Sequence, residues 1–260
     1  VPLIYILCMS FMRRADTWGV EAAFTLESYQ KLLDPNYLSV FGRSLWLAVL
    51  TTLLTLLIGY PFAYFTAGLP PKKRSLALML VIVPFWTNSL VRIYGWMILL
   101  RGQGVVNSLL AALGLIDAPL KLLYNFGAVL VGMVYALIPF MILSVYNAVA
   151  KLDPALIEAA RDLGAGRWRA FWTITVPMTR AGIMAGCVLV FIPSIGLFFI
   201  SDLLGGSKTM LLGNLIRDEL LTARNWPLGA ALSVVMMAAT LLVIGGYRRL
   251  SGEKSLEGIV

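Results

Sequence analysis

The chain has 260 residues, 60% of them apolar and only 13% charged. A water-soluble domain carries roughly 45–50% apolar and about 25% charged residues, so this composition excludes a soluble enzyme and points to a protein dissolved in a bilayer. The net charge of +8 comes from 21 Lys and Arg against 13 Asp and Glu, with no histidine. These basic residues lie in short segments between apolar blocks, as in membrane proteins, and not in the solvent-facing patch that nucleic acid would need.

Taken in chain order, residues 1–12 form an apolar run too short to span. The run begins at Val1, lacks the basic flank of a secretory signal, and is read as the trailing part of a first helix. Residues 45–67, 126–150, 181–201 and 226–247 are free of charge for 23, 25, 21 and 22 positions. About 20 such residues cross the hydrocarbon layer as a helix. Residues 76–100 make a further candidate interrupted by Arg92. The expectation is an all-α polytopic membrane protein of about six helices, the first truncated, in a single transmembrane domain over 1–260.

Pro61, Pro84, Pro139 and Pro193 each fall inside a span. Proline removes a backbone donor and kinks a helix, so four kinked spans suit a moving passage better than an inert anchor. Cys8 and Cys187 each sit in an apolar run and read as lone buried thiols; no metal or disulfide framework is suggested. Inverted halves of the kind found in many secondary transporters are not visible.

Orientation follows the density of Lys and Arg between spans. Segments 68–75, 151–180 and 248–260 carry 11 in 51 positions, Lys254 among them. Segments 13–44, 101–125 and 202–225 carry 9 in 81, including Lys208. The denser set, and with it the C-terminus, is expected to face the cytoplasm.

The informative stretch is the 151–180 segment. Asp153 followed by Pro154 is a helix start, a capping carboxylate and then proline at the first helical position. Gly164 is the residue type found just past a helix end. A second short helix is expected from about Arg167 to Thr175, stopping near Pro177. Small Ala159 and Ala160, edged by Glu158, Arg161 and Asp162, could present a compact knob to a partner.

Glu158-Ala159-Ala160, Gly164 after three residues, then Ile174, Val176 and Pro177 resemble the EAA loop of ABC-importer permeases, with Val176 in place of leucine. The segments GYPFAYF (59–65), VPFWTNSLVRIYG (83–95), RDLGA (161–165), SDLLGG (201–206) and NWP (225–227) extend the likeness to the polyamine (spermidine/putrescine) importer permeases. The resemblance implies a MetI-like ABC permease fold. It also implies that Glu158, Ala159, Ala160 and Gly164, with Asp162, Leu163 and Ala165 beside them, form a coupling helix gripped by a cytoplasmic ATPase. The implied partners are a second permease, two ATPase copies and an extracytoplasmic polyamine-binding protein. The chain has no Gly-x4-Gly-Lys-Ser/Thr loop to cradle nucleotide phosphates. No cofactor of its own and no catalysis are therefore expected, ATP and magnesium belonging to the ATPase.

A polycation passing through would use aromatic faces and carboxylates, each cation–π contact being worth about 0.5–2 kcal/mol. Tyr60 and Trp86, beside kinking prolines, and Asp202, at the outer end of the fifth helix, are the passage candidates. Arg92 is the lone charge within a span, where charges are costly and seek partners. It is expected to be neutralised by a carboxylate such as Asp202 or by a carbonyl freed at a proline kink. Other readings stay open: the same machine with another small solute, an ion-coupled secondary transporter or channel, or a membrane-bound enzyme, for which no histidine or paired carboxylates are present.

Overall fold

In a computed structural model, which describes residues 2–15, 19–21, 23–206 and 209–251, helix accounts for nearly every ordered element. Val1, Lys208 and Lys254, which entered the reading of the chain start and of the charge bias, lie outside the described residues. The elements are α1 (Pro2–Ser10), a two-stranded antiparallel ribbon of β1 (Arg13–Arg14) and β2 (Val20–Glu21), α2 (Glu27–Lys31), α3 (Pro35–Ala67), α4 (Pro71–Ile82), α5 (Ser89–Leu99), α6 (Val105–Ala112) and α7 (Phe126–Ala150). They continue with α8 (Pro154–Asp162), α9 (Arg167–Ala170), α10 (Val176–Gly196), α11 (Phe198–Ile200), α12 (Leu212–Leu221) and α13 (Trp226–Ser251).

Among the described residues, four helical stretches are long and apolar enough to cross a membrane: Pro35–Ala67, Phe126–Ala150, Arg167–Gly196 and Trp226–Tyr247. A fifth appears only if α4 and α5 are counted as one bent element, and α1 has nine residues. The expected helices, the first truncated, thus correspond to these four stretches, the bent α4–α5 element and the short α1. The expected 76–100 span is broken after a 3₁₀ turn, Val83–Trp86, and bends by 96°. Pro84 denies that turn a regular donor, and Thr87 leaves it with an extended backbone at φ −84°, ψ 152°.

The expected 181–201 span starts earlier and ends sooner. Pro177 does not stop the helix that begins at Arg167. A π-helical stretch, Phe171–Thr175, joins α9 to α10, with the Val176 N–H donating to the Phe171 carbonyl five residues back. The widened turn fits a proline into a continuous helix without the usual break. At the far end Leu197 leaves the helical region (φ −76°, ψ 69°) four residues after Pro193, so the helix ends at Gly196.

The chain forms two compact units. One comprises Val1–Val49, Leu90–Met133 and Ile192–Ile244; the other comprises Leu50–Ser89, Val134–Phe191 and Gly245–Val260. In the first, buried Asn107 pins the 101–125 connection. Its amide donates to the Arg101 and Leu120 carbonyls at 3.2 and 3.0 Å and accepts from the Leu120 N–H at 3.0 Å. In the same unit the Ser44 hydroxyl oxygen accepts from the Leu212 N–H at 2.8 Å, tying α3 to the start of α12.

In the second unit α7 and α10 cross on small residues. Gly182 lies against Ser144 and Ala148, and Gly186 against Met141 and Ser144. The Ser144 hydroxyl donates to the Gly182 carbonyl at 2.8 Å. Close backbone approach with a side-chain hydrogen bond is how helices associate where lipid removes the hydrophobic drive.

Candidate functional site

The candidate coupling helix α8 is built by its ends. The Asp153 side chain accepts from the Ala155 N–H at 3.0 Å, and Pro154 occupies the first helical position. At the other end Gly164 adopts φ +83°, the left-handed conformation that terminates helices. Its N–H donates to the Arg161 carbonyl, and the Ala165 N–H reaches the Ala160 carbonyl, both at 2.9 Å. That pair of bonds is a Schellman closure, so the nine-residue helix is capped at both ends.

Glu158, Ala159, Asp162, Leu163 and Gly164 are exposed, while Ala160 and Ala165 are half-buried. Leu163 is 89% exposed, an apolar side chain held out in front of the chain by a rigid cap. The seven coupling candidates thus lie together on the second half of α8 and its closing turn, five of them exposed. The structure also gives the reason for Gly164, which stands just past the helix end as expected. A Cβ there would meet nothing within 4 Å, so what requires glycine within this chain is backbone conformation and not close packing.

In the other unit Asp202 sits in a second π-helical turn, Ser201–Gly205, and lines a cavity of about 350 Å³ with Gly206, Thr209, Met210, Asn214, Arg217 and Asp218. The Asn214 amide donates to Asp202 Oδ1 at 2.6 Å and to the Phe198 carbonyl at 3.2 Å. Its own oxygen accepts from the Leu211 N–H at 3.0 Å, capping α12. Arg217 pairs with the other Asp202 oxygen and, at 2.7 and 2.9 Å, with Asp218. Its guanidinium carbon lies 5.3 Å from the centre of the Phe198 ring. Hydrogen bonding to Asp218, opposed by desolvation and reinforced by Asp202, holds the Arg217 guanidinium above its already high ordinary value.

The expected pairing of Arg92 with Asp202 is therefore corrected. Both Asp202 oxygens are engaged by Arg217 and Asn214, which α12 presents one helical turn apart. Neither residue was singled out from sequence, because the partner of Asp202 lies 15 residues away across a connection without repeat or motif. Removing Asp202 should cost each of them one partner, leaving Arg217 with Asp218 and Asn214 with the Phe198 carbonyl. Asp202→Ala is expected to lower the melting temperature of the purified protein, and Arg217→Ala added to it should cost less than Arg217→Ala alone. The coupling expected in a thermal double-mutant cycle is about 0.5–1 kcal/mol, because these side chains are about one-third exposed and screened by solvent.

Of the aromatic candidates, Tyr60 is buried, its hydroxyl 3.0 Å from the Thr179 hydroxyl and its ring edge-on to Phe171 at 5.7 Å. Trp86 ends the 3₁₀ turn and is 80% exposed. Both belong to the second unit, whereas Arg92 and Asp202 belong to the first.

A family model for the inner membrane component of binding-protein-dependent transport systems matches residues 59–252, a stretch that contains α8 and most of the spans. The chain belongs to this family. It is 48% identical over 257 residues to the spermidine/putrescine transport system permease protein PotB of Escherichia coli (strain K12), covering 98% of this chain and 94% of that protein. The corresponding Haemophilus influenzae permease is 44% identical over 249 residues, covering 96% and 87%.

Among solved structures, a bacterial alginate ABC transporter in complex with its pentasaccharide-bound periplasmic protein matches with a TM-score of 0.78 at 19% identity, covering 98% of this chain and 88% of that one. The inward-facing MetNI methionine ABC transporter matches with a TM-score of 0.58 at 16% identity, covering 84% and 97%. At such identities the likeness shows fold alone. The fold is the all-α, MetI-like permease fold expected from the loop motif, on a multi-pass inner-membrane protein.

Proposed function

We propose that this chain is a permease subunit of an ATP-driven importer of polyamines of the spermidine/putrescine class. The observation that carries the reading is full-length likeness to spermidine/putrescine permeases in a chain that holds out a doubly capped, exposed helix with the EAA pattern. In this reading the chain works with a second permease, two copies of a cytoplasmic ATPase and an extracytoplasmic polyamine-binding protein. It performs no catalysis. ATP and magnesium bind to the ATPase, and the 151–180 segment and the C-terminus lie on the cytoplasmic side.

The mechanical logic follows from the caps. A helix closed at both ends cannot absorb a push by fraying, so displacement of Glu158–Ala165 passes through Gly166 into the helix that begins at Arg167. That helix runs unbroken to Gly196 through Pro177. ATP-driven closure of the ATPase pair would thereby reach a spanning helix through the short turn at Gly164–Gly166. Tyr60, Trp86 and Asp202 remain the proposed passage residues, and Arg92 a structural charge within the membrane region.

The test is the assembled transporter in vesicles. Spermidine or putrescine, delivered with the binding protein, should stimulate vanadate-sensitive ATP hydrolysis and drive uptake of labelled polyamine. Hydrolysis stimulated by another solute and indifferent to polyamines would overturn the cargo. Uptake that follows an ion gradient and ignores ATP would overturn the mechanism.

A further inference from the structure

Next to the lever helix lies an aromatic pile that coupling does not require. Phe171 sits at its centre, in the π-helical stretch. The rings of Tyr60 and Tyr64 meet it edge-on, each with centroids 5.7 Å away. Trp168 and Trp172 flank it at 6.3 and 5.3 Å, again edge-on. Tyr60 is buried and Phe171 half-buried, while Tyr64 is exposed, as are Trp168 at 77% and Trp172 at 63%. Arg167 and Arg169 alternate with them and are exposed as well. Two indoles locked by a shared ring and still presented outward are an apolar surface that wants a partner.

The depth of the pile says which partner fits. Tyr60 and Tyr64 occupy the last two turns of the charge-free run 45–67, which is followed by Gly68 and the basic triplet Lys72, Lys73 and Arg74. Three residues of helix cover about 4.5 Å, so Tyr64 lies near the end of that apolar run and Tyr60, one turn earlier, deeper within it. Phe171 touches both rings, and Thr179, eight residues further on, is hydrogen-bonded to Tyr60. The stretch from Phe171 to Thr179 is therefore held level with the end of that span instead of projecting far beyond it. Trp168 and Trp172 are fixed at the same level through Phe171.

Tryptophan favours the layer where hydrocarbon gives way to headgroups because its ring is apolar and its N–H needs a polar acceptor. Arginine there meets phosphate, with which its guanidinium makes paired hydrogen bonds. We propose that Arg167, Trp168, Arg169 and Trp172 form a collar that binds anionic phospholipid headgroups, anchoring the foot of the helix that the lever drives. The lever is then hinged on the membrane surface, and lipid charge sets how firmly. The ATPase is the rival occupant, but its surface would have to reach the depth of Tyr60.

The experiment uses the assembled transporter in phosphatidylcholine vesicles containing phosphatidylglycerol with a photoreactive group near its glycerol, the adducts being mapped by mass spectrometry. Labelling is expected on residues 167–172 and should exceed that from equally photoreactive phosphatidylcholine. In the R167Q/R169Q double variant it should fall about tenfold or more, two charges near an anionic surface each contributing roughly 1 kcal/mol. The R167K/R169K variant, which keeps the charge, should retain most of the labelling, and the lipid comparison in the unmodified protein needs no variant. Equal labelling by both lipids, absence of adducts on this stretch, or trapping of the ATPase by a crosslinker placed at position 168 would each overturn the collar.

Discussion

Replacing Gly182 with alanine is expected to destabilise the folded subunit by about 2 kcal/mol or more, read as a lower melting temperature and less folded protein in the membrane. An ideal Cβ at Gly182 would overlap the Cβ of Ala148 and lie 2.9 Å from the carbonyl oxygen of Ser144. The second contact decides the sign, because it is with backbone in the middle of α7 and cannot be relieved by a rotamer change. The crossing would have to open. Opening it also lengthens the Ser144 hydroxyl bond to the Gly182 carbonyl, now 2.8 Å, so packing and polar contacts fail together.

The companion change Ala148→Gly removes one of the two collisions. The double variant Gly182→Ala/Ala148→Gly should therefore regain part of the lost stability, and the thermal cycle should show coupling of the order of 1 kcal/mol. Full stability in Gly182→Ala alone would mean that α7 and α10 do not cross so closely.

How much of this was legible in the residues depends on the range of the interaction. The lever helix was readable because its causes are local: Asp153, Pro154 and Gly164 act on neighbours within five positions, and each lies where its chemistry demands. The apolar spans were readable because they are set by composition over about 20 residues. What escaped was set by pairs far apart in the chain. Nothing in the sequence ties Asp202 to Arg217 and Asn214, so the carboxylate was offered to Arg92 instead.

Prolines failed differently. Pro177 looks like a stop from its own residue type, yet the π-helical stretch before it absorbs the missing donor. Pro84, inside an equally apolar run, does mark a break, because a 3₁₀ turn and the extended backbone of Thr87 follow. The difference lies in what the neighbouring turns can adopt, and a single sequence does not print that. The aromatic pile escaped for the same reason as the ion pair: Phe171 brings together rings from α3 and from its own helix that are more than a hundred residues apart.

Gly164 provides the sharpest test of the lever, because conformation and contact can be separated there. Its φ of +83° costs an L-residue roughly 1–2 kcal/mol, more for a β-branched side chain and least for asparagine. A Cβ would meet nothing within 4 Å in this chain, so within the subunit the series Asn, Asp, Val isolates backbone strain. Gly164→Val should loosen the Schellman closure, let the end of α8 fray, and cut ATP-dependent uptake about tenfold or more, about 1.4 kcal/mol corresponding to a factor of ten.

Hydrolysis by the assembled complex should fall less than uptake, since the ATPase can still cycle against a lever that no longer transmits. Gly164→Asn, which tolerates the left-handed conformation, should keep uptake within about threefold of the unmodified protein. Aspartate should fall between the two. If all three abolish uptake alike, contact with the ATPase surface and not helix termination fixes the residue. If valine leaves uptake intact, α8 is not the element through which this permease is driven.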